Sequence, residues 1–115
     1  MDKKKKILVV DDDNLCLLIA EIMLRREYEI FTAQSGNEAL DHFLTGLFPD
    51  LILLDILMPN MDGWETYNKI RGISLLKDIP IVFLTSVSES EEIKRAFSMG
   101  AVDYIIKPYK YYKTI

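Results

Sequence analysis

The sequence predicts a doubly wound α/β domain built on a five-stranded parallel sheet, and three observations carry that prediction. Short apolar runs at 7–10, 51–54, 81–84 and 104–106 are continuous rather than alternating. Stretches of helical spacing separate them. Polar residues able to do chemistry follow each run directly. A continuous apolar run suits a strand covered on both faces, the condition of a parallel sheet held between helical layers.

The first strand is expected at 7–10. A helix follows over 14–26, where Leu15, Leu18, Ile19 and Ile22 recur at helical spacing and Asp13 or Asn14 is available as N-cap. A weaker strand at 29–33 comes next. The helix over 35–44 opens with Ser35 and Gly36, and Glu38 stands three residues after Ser35, the spacing of a capping box. The strand at 51–54 leads to a helix over 62–70, announced by Asp62 and Gly63, whose pairing is a turn and cap signal. After the strand at 81–84, a helix over 88–99 opens with serine and glutamates and stops at Gly100. The strand at 104–106 closes the series. The order is βα four times and then a fifth strand, and right-handed crossovers place helices on both faces. The expected strand order is 2-1-3-4-5, that of flavodoxin-like sheets; the pattern of runs does not by itself establish it.

At 115 residues, the chain is read as one domain, 1–115, too short for two ordinary ones. Half of it is hydrophobic, enough for a real core. The net charge of −4 argues against nucleic acid as a direct partner. Lysines at 3–6 read as a solvated terminal run. They do not open a secretory leader, because the apolar run behind them is short and ends in three aspartates. No apolar stretch approaches a membrane span, so no membrane partner is expected. The one cysteine, Cys16, has no partner for an internal disulfide, which fits a cytoplasmic location. Its leucine neighbours predict a buried, inert thiol.

In open α/β sheets, ligands bind outside the carboxyl ends of the strands. After Val10 come Asp11 and Asp12; after Leu54, Asp55; after Leu84, Thr85 and Ser86; after Ile106, Lys107. Any single aspartate in such a place is commonly a turn residue or a helix cap. The recurrence of polar groups at four strand ends is what points to a site. Three carboxylates against one ammonium leave surplus negative charge. Two unit charges ~4 Å apart interact by about 4 kcal/mol at a near-surface dielectric. Such a cluster raises a pKa or binds a cation, and carboxylate, carbonyl and water oxygens suit Mg²⁺. A carboxylate also serves as nucleophile toward phosphorus, giving an acyl phosphate. The transferring group then needs positive charge and hydrogen-bond donors, which metal, Lys107 and Thr85 supply in this reading.

The strings ILVVDDD at 7–13, LLDILMPNMDG at 53–63 and FLTS at 83–86, with Gly100 before Ala101 and Lys107 before Pro108, resemble the receiver domains of two-component response regulators. The likeness covers nearly the whole chain. It implies a phosphorylation-dependent switch rather than an enzyme. Asp55 is then the phosphoacceptor, served by a sensor histidine kinase or a phosphotransfer protein. Asp11, Asp12, Asp55 and the backbone carbonyl of Leu57 would hold Mg²⁺. Thr85 and Lys107 would contact the phosphoryl oxygens, and Thr85 with Tyr104 would form the switch. A changed surface of the fourth helix and fifth strand would control a downstream output protein or domain. Pro59 and Gly63 look like turn-builders after the acceptor.

Two departures from the family pattern carry expectations of their own. Leu57 and Val87 are apolar at positions that flank the approach of attacking water in this family, which predicts slow self-dephosphorylation. Seven residues, 109–115, follow Pro108, barely two helical turns, so a chain cut within its fifth helix is expected. The first helix and part of one sheet face would then be exposed, with a dimer through that face as the corollary. Rival readings are weaker. A phosphatase of the haloacid-dehalogenase type needs a second aspartate where Leu57 stands, and a calcium loop at 11–14 would need glycine at Cys16 and glutamate at Ile22. A receiver-like module that only binds partners would not need every reactive residue. His42 is expected as a solvated helix residue, Trp64 as a packing or surface aromatic rather than a ligand site, and Met58 and Met61 as loop packing.

Overall fold

In a strand, consecutive side chains point to opposite faces, so each apolar run feeds two cores at once. In the computed structural model, which describes residues 3–85, 94, 95, 98, 100 and 103–106, this division is complete. The elements run β1 (Lys5–Val10), α1 (Asn14–Leu24), β2 (Tyr28–Ala33), α2 (Gly36–Leu44), β3 (Leu51–Asp55), α3 (Gly63–Arg71), a 3₁₀ turn at Ser74–Leu76, β4 (Ile81–Thr85) and β5 (Asp103–Ile106). Leu8, Val10, Ile52, Leu54, Ile81 and Phe83 pack on one face against Ala39 of α2 and Trp64, Tyr67 and Ile70 of α3. Ile7, Val9, Leu53 and Leu84 pack on the other against Cys16, Leu17, Ala20 and Leu24 of α1. Each Val, Leu, Ile or Phe side chain among them, fully buried, stabilises the fold by about 1.5–3 kcal/mol.

All strand pairs are parallel, in the order β2-β1-β3-β4. The backbone of β5 pairs with β4 from Val82 opposite Asp103 to Thr85 opposite Ile106. The expected fold class and the order of the first four strands are therefore met. The helix expected over 88–99 falls mostly outside the described residues, of which Lys94, Arg95 and Ser98 are helical. Residues 107–115, with the expected fifth helix, lie outside them too. Among the described residues no helix is long and apolar enough to cross a membrane.

Three helices begin at side-chain caps. Asp13 accepts from the Leu15 amide, Ser35 from the Glu38 amide and Asp62 from the Glu65 amide. Such a cap is worth about 0.5–2 kcal/mol. Glu38 returns a bond to the Gln34 amide at 3.2 Å, one residue before the cap, so the expected capping box closes one residue early.

Two expectations need correction. The face of α1 turned to the sheet is not the one marked by Leu15, Leu18 and Ile22, which are 62, 52 and 53% exposed. Helix α1 is apolar on nearly every side, so periodicity alone could not select the buried stripe. His42 is not simply solvated either. It is half-buried, its Nε2 lies 2.8 Å from the Thr32 carbonyl, and it meets Phe31 edge-on. The reach from α2 back over β2, to a residue ten positions earlier, creates that partner, and no local sequence signal contains it. Cys16, Met58 and Met61 are buried as expected, and of the two places open to Trp64 the structure takes the packed one.

At the start of α2, a Cβ on Gly36 would stand 2.3 Å from Thr66 Oγ1 and 2.6 Å from Met61 Sδ. Thr66 is fully buried and donates its hydroxyl to the Asp62 carbonyl at 2.8 Å, so it has little room to yield. Gly36→Ala is expected to destabilise the protein by about 1–3 kcal/mol through overpacking, despite alanine's better helix propensity. A lowered urea midpoint at unchanged m-value checks this.

Candidate functional site

Parallel register brings the chemically distinctive residues to one edge. Val10 stands opposite Leu54, so Asp11 and Asp55 each lie one residue beyond a paired position. Asp55 stands opposite Leu84, which sets Thr85 one step past it on β4. The Asp11 amide donates to the Ala33 carbonyl at 3.0 Å, continuing the β1–β2 pairing, and the Ile56 amide donates to Leu84 at 3.0 Å, continuing β3–β4. Asp11, Asp55 and Thr85 are 0, 2 and 3% exposed, whereas Asp12 points outward. Buried polar groups in this number at one edge are costly in a core and seldom accidental.

Carboxylate oxygens of Asp11, Asp12 and Asp55 all lie within 4.8 Å of one another. Asp11 is oriented from outside the strand, since its Oδ1 accepts the Asp13 amide at 3.0 Å while Asp13 caps α1. Asp13 is the residue that sequence reasoning left as one of two cap candidates, and its further role in holding Asp11 was not foreseen. Asn14, the other candidate, instead accepts a hydrogen bond from the Gln34 side-chain amide. Two elements that open at the same edge are thereby joined.

After Asp55 the chain makes a closed loop. Ile56, Met58 and Met61 are buried while Leu57 is 61% exposed. Asn60 takes a left-handed conformation at φ 68°, which asparagine tolerates better than most residues. The Gly63 amide then closes the loop on the Ile56 carbonyl at 2.8 Å. A Cβ on Gly63 would lie 2.3 Å from the Asp55 carbonyl oxygen, so only glycine allows α3 to start this near the strand end. The turn-building expected of Gly63 has this physical basis.

Hard oxygen donors so disposed fit a small divalent cation. Opposite ligands of an octahedral Mg²⁺ stand about 4.2 Å apart, and the ion keeps waters in its remaining positions. The described residues therefore bring together Asp11, Asp12, Asp55 and Thr85 from the expected set. The side chain of Tyr104 and all of Lys107 lie outside what is described.

The model of a response regulator receiver domain matches residues 7–114 of this chain. The "Probable cyclic di-GMP phosphodiesterase" of Vibrio cholerae is 42% identical over 105 residues, 89% of this chain and 23% of that protein. The regulatory protein VanRB of Enterococcus faecalis is 36% identical over 104 residues, 90% of this chain and 46% of that protein. The chain thus spans 23% and 46% of the length of these two curated relatives. The chemotaxis protein CheY4 of Vibrio cholerae superposes with a TM-score of 0.86 at 32% identity, over 93% of this chain and 89% of that one.

Clustered carboxylates repel one another, and a cation that binds only the folded cluster stabilises the fold by linkage. At ten times its dissociation constant, Mg²⁺ is expected to add about 1.4 kcal/mol to the unfolding free energy. Asp11→Asn should remove most of that increment. Urea unfolding of both proteins with and without MgCl₂ measures it, and an equal Mg²⁺ response in the variant would rule the cluster out.

Proposed function

Because the chain belongs to the response regulator receiver domain family, and so serves phosphorylation-dependent two-component signalling, we propose that Asp55 is its phosphoacceptor and that the fold works as a Mg²⁺-dependent switch. The observation that carries this reading is the meeting of three carboxylates within 4.8 Å around a buried Asp55, with the buried Thr85 on the neighbouring strand end. No other group of three or more metal-ligating side chains occurs among the described residues.

In the reaction, a carboxylate oxygen of Asp55 forms a bond to phosphorus as the bond to the donor nitrogen breaks. The donor is a histidine of a sensor kinase or phosphotransfer protein. Asp11, Asp12 and Asp55, with the carbonyl of Leu57, would hold the cation, which would supply positive charge to the transferring oxygens. Asp13 fixes Asp11 through its amide. Thr85 donates a hydrogen bond to the phosphoryl group, and Lys107 pairs with it. The carboxylate's single negative charge becomes that of a dianionic acyl phosphate, a stronger attractor for both. Movement of Thr85 lets Tyr104 turn inward and biases the surface of the fourth helix and fifth strand, where an output protein or domain reads the state.

The finer architecture belongs to the same reading. Residues 1–115 form one receiver domain with five strands in the order 2-1-3-4-5. It acts in the cytoplasm, without direct nucleic-acid or membrane contact, and the apolar side of α1 supplies a surface for self-association. The domain catalyses no reaction beyond its own phosphorylation and dephosphorylation. Leu57 and Val87 offer attacking water no polar guide, so the acyl phosphate is long-lived.

Acetyl phosphate with Mg²⁺ should add one phosphoryl group, seen by intact mass, and Asp55→Asn should abolish it. An undiminished adduct in that variant would move the acceptor elsewhere. Thr85→Ala should still be phosphorylated but lose the change at Tyr104. The combined Leu57→Asn and Val87→Glu variant should lose its phosphoryl group faster than the parent protein. Equal half-lives would refute the role given to these two positions.

A further inference from the structure

Trp64 is the chain's single tryptophan and the second residue of α3. Gly63 before it is bound to the loop after Asp55 through the Ile56 carbonyl, at 2.8 Å, with no room for even a Cβ against the Asp55 backbone. Displacement at Asp55 therefore has a short, rigid path to the indole. The indole is 6% exposed and lies 4.8 Å from the Phe83 ring, and Phe83 stands opposite Tyr104 in the β4–β5 register.

From the other side, the Arg95 guanidinium lies over the indole at 4.5 Å from the ring centroid. Arg95 is helical, and the Ser98 hydroxyl donates to its carbonyl at 2.8 Å. A neighbouring contact runs alongside, one turn further along α3. The Tyr67 hydroxyl accepts Arg71 Nε–H at 3.2 Å and stands 3.1 Å from where a Cβ on Gly100 would be. Gly100 is a turn residue with φ +90°. Two aromatic residues of α3 thus stand near Arg95 and Gly100.

A guanidinium over tryptophan is held by the ring's quadrupole, an attraction that depends on close approach to its face. Packed contacts of this kind switch between discrete arrangements rather than deforming smoothly. We infer that Trp64 and Arg95 form a cation–π clasp that holds Arg95 against α3 while Asp55 is unmodified and yields when it is phosphorylated. The charge change then reaches Arg95 through the α3 turn as well as through Thr85. This inference rests on Asp55 being the phosphoacceptor.

An interaction present in one arrangement alone biases the equilibrium by its own strength, and a ligand of the other arrangement feels the reciprocal effect. An exposed cation–π contact corresponds to about a two- to fivefold change in an equilibrium constant. Arg95→Met keeps the aliphatic stem and removes the cation; Arg95→Lys keeps a cation. The probe is beryllofluoride with Mg²⁺, a stand-in for the phosphoryl group, followed by Trp64 emission. Parallel samples with acetyl phosphate are weighed for the adduct.

In the parent protein, saturation should shift the emission. Arg95→Met should start closer to the saturated value and bind beryllofluoride two- to fivefold more tightly, with Arg95→Lys between the two. Unchanged emission in a protein that forms the adduct, or equal affinity in Arg95→Met, overturns the clasp and leaves the acceptor assignment standing. A parent protein that forms no adduct overturns both.

Discussion

Parallel pairing between two helical layers is the constraint from which the other properties of this molecule follow. A chain can add the next parallel strand only by returning to the end where the last one began, and α1, α2 and α3 make those returns. Every strand therefore finishes at the same edge. The central strand β3 is covered on both faces, and its last residue is Asp55, 2% exposed. Asp11 follows the fully buried Val10 in the same way. The topology that lets two apolar cores form is also what forces acids into one another's company.

The loop after Asp55 shows packing and chemistry dividing one short segment between them. Ile56, Met58 and Met61 anchor it to the core, and the positions between them are left to the site's mouth. Leu57 is outward because its neighbours are inward, not because it prefers water. Gly63 and Gly36 then let α3 and α2 close on this loop from two sides, with clearances no side chain would permit. The loop is consequently anchored at several points, to the core and to the starts of α2 and α3.

Stability is spent in two places. Acids crowded together at the carboxyl edge oppose folding, as buried like charges do. Leu15, Leu18 and Ile22 leave apolar surface of α1 in water, since the sheet covers only its other side. Proteins commonly tolerate such features where function needs them.

Local chemistry in the sequence was enough to determine the alternation of strands and helices, because period and capping are properties of neighbouring residues. The placement of Asp11, Asp12, Asp55 and Thr85 at strand ends was legible for the same reason. Once parallel pairing was assumed, a single edge had to receive them. What sequence left open were matters between distant segments. The buried side of α1 depended on which stripe met Ile7, Val9 and Leu53, and an almost uniformly apolar helix carries no mark of that choice. The bond from His42 to Thr32, the hold of Asp13 on Asp11 and the approach of Arg95 to Trp64 arise only when the chain is wound up. Periodicity and capping act over a few residues and can be read along the chain, whereas which faces meet is settled by packing the whole.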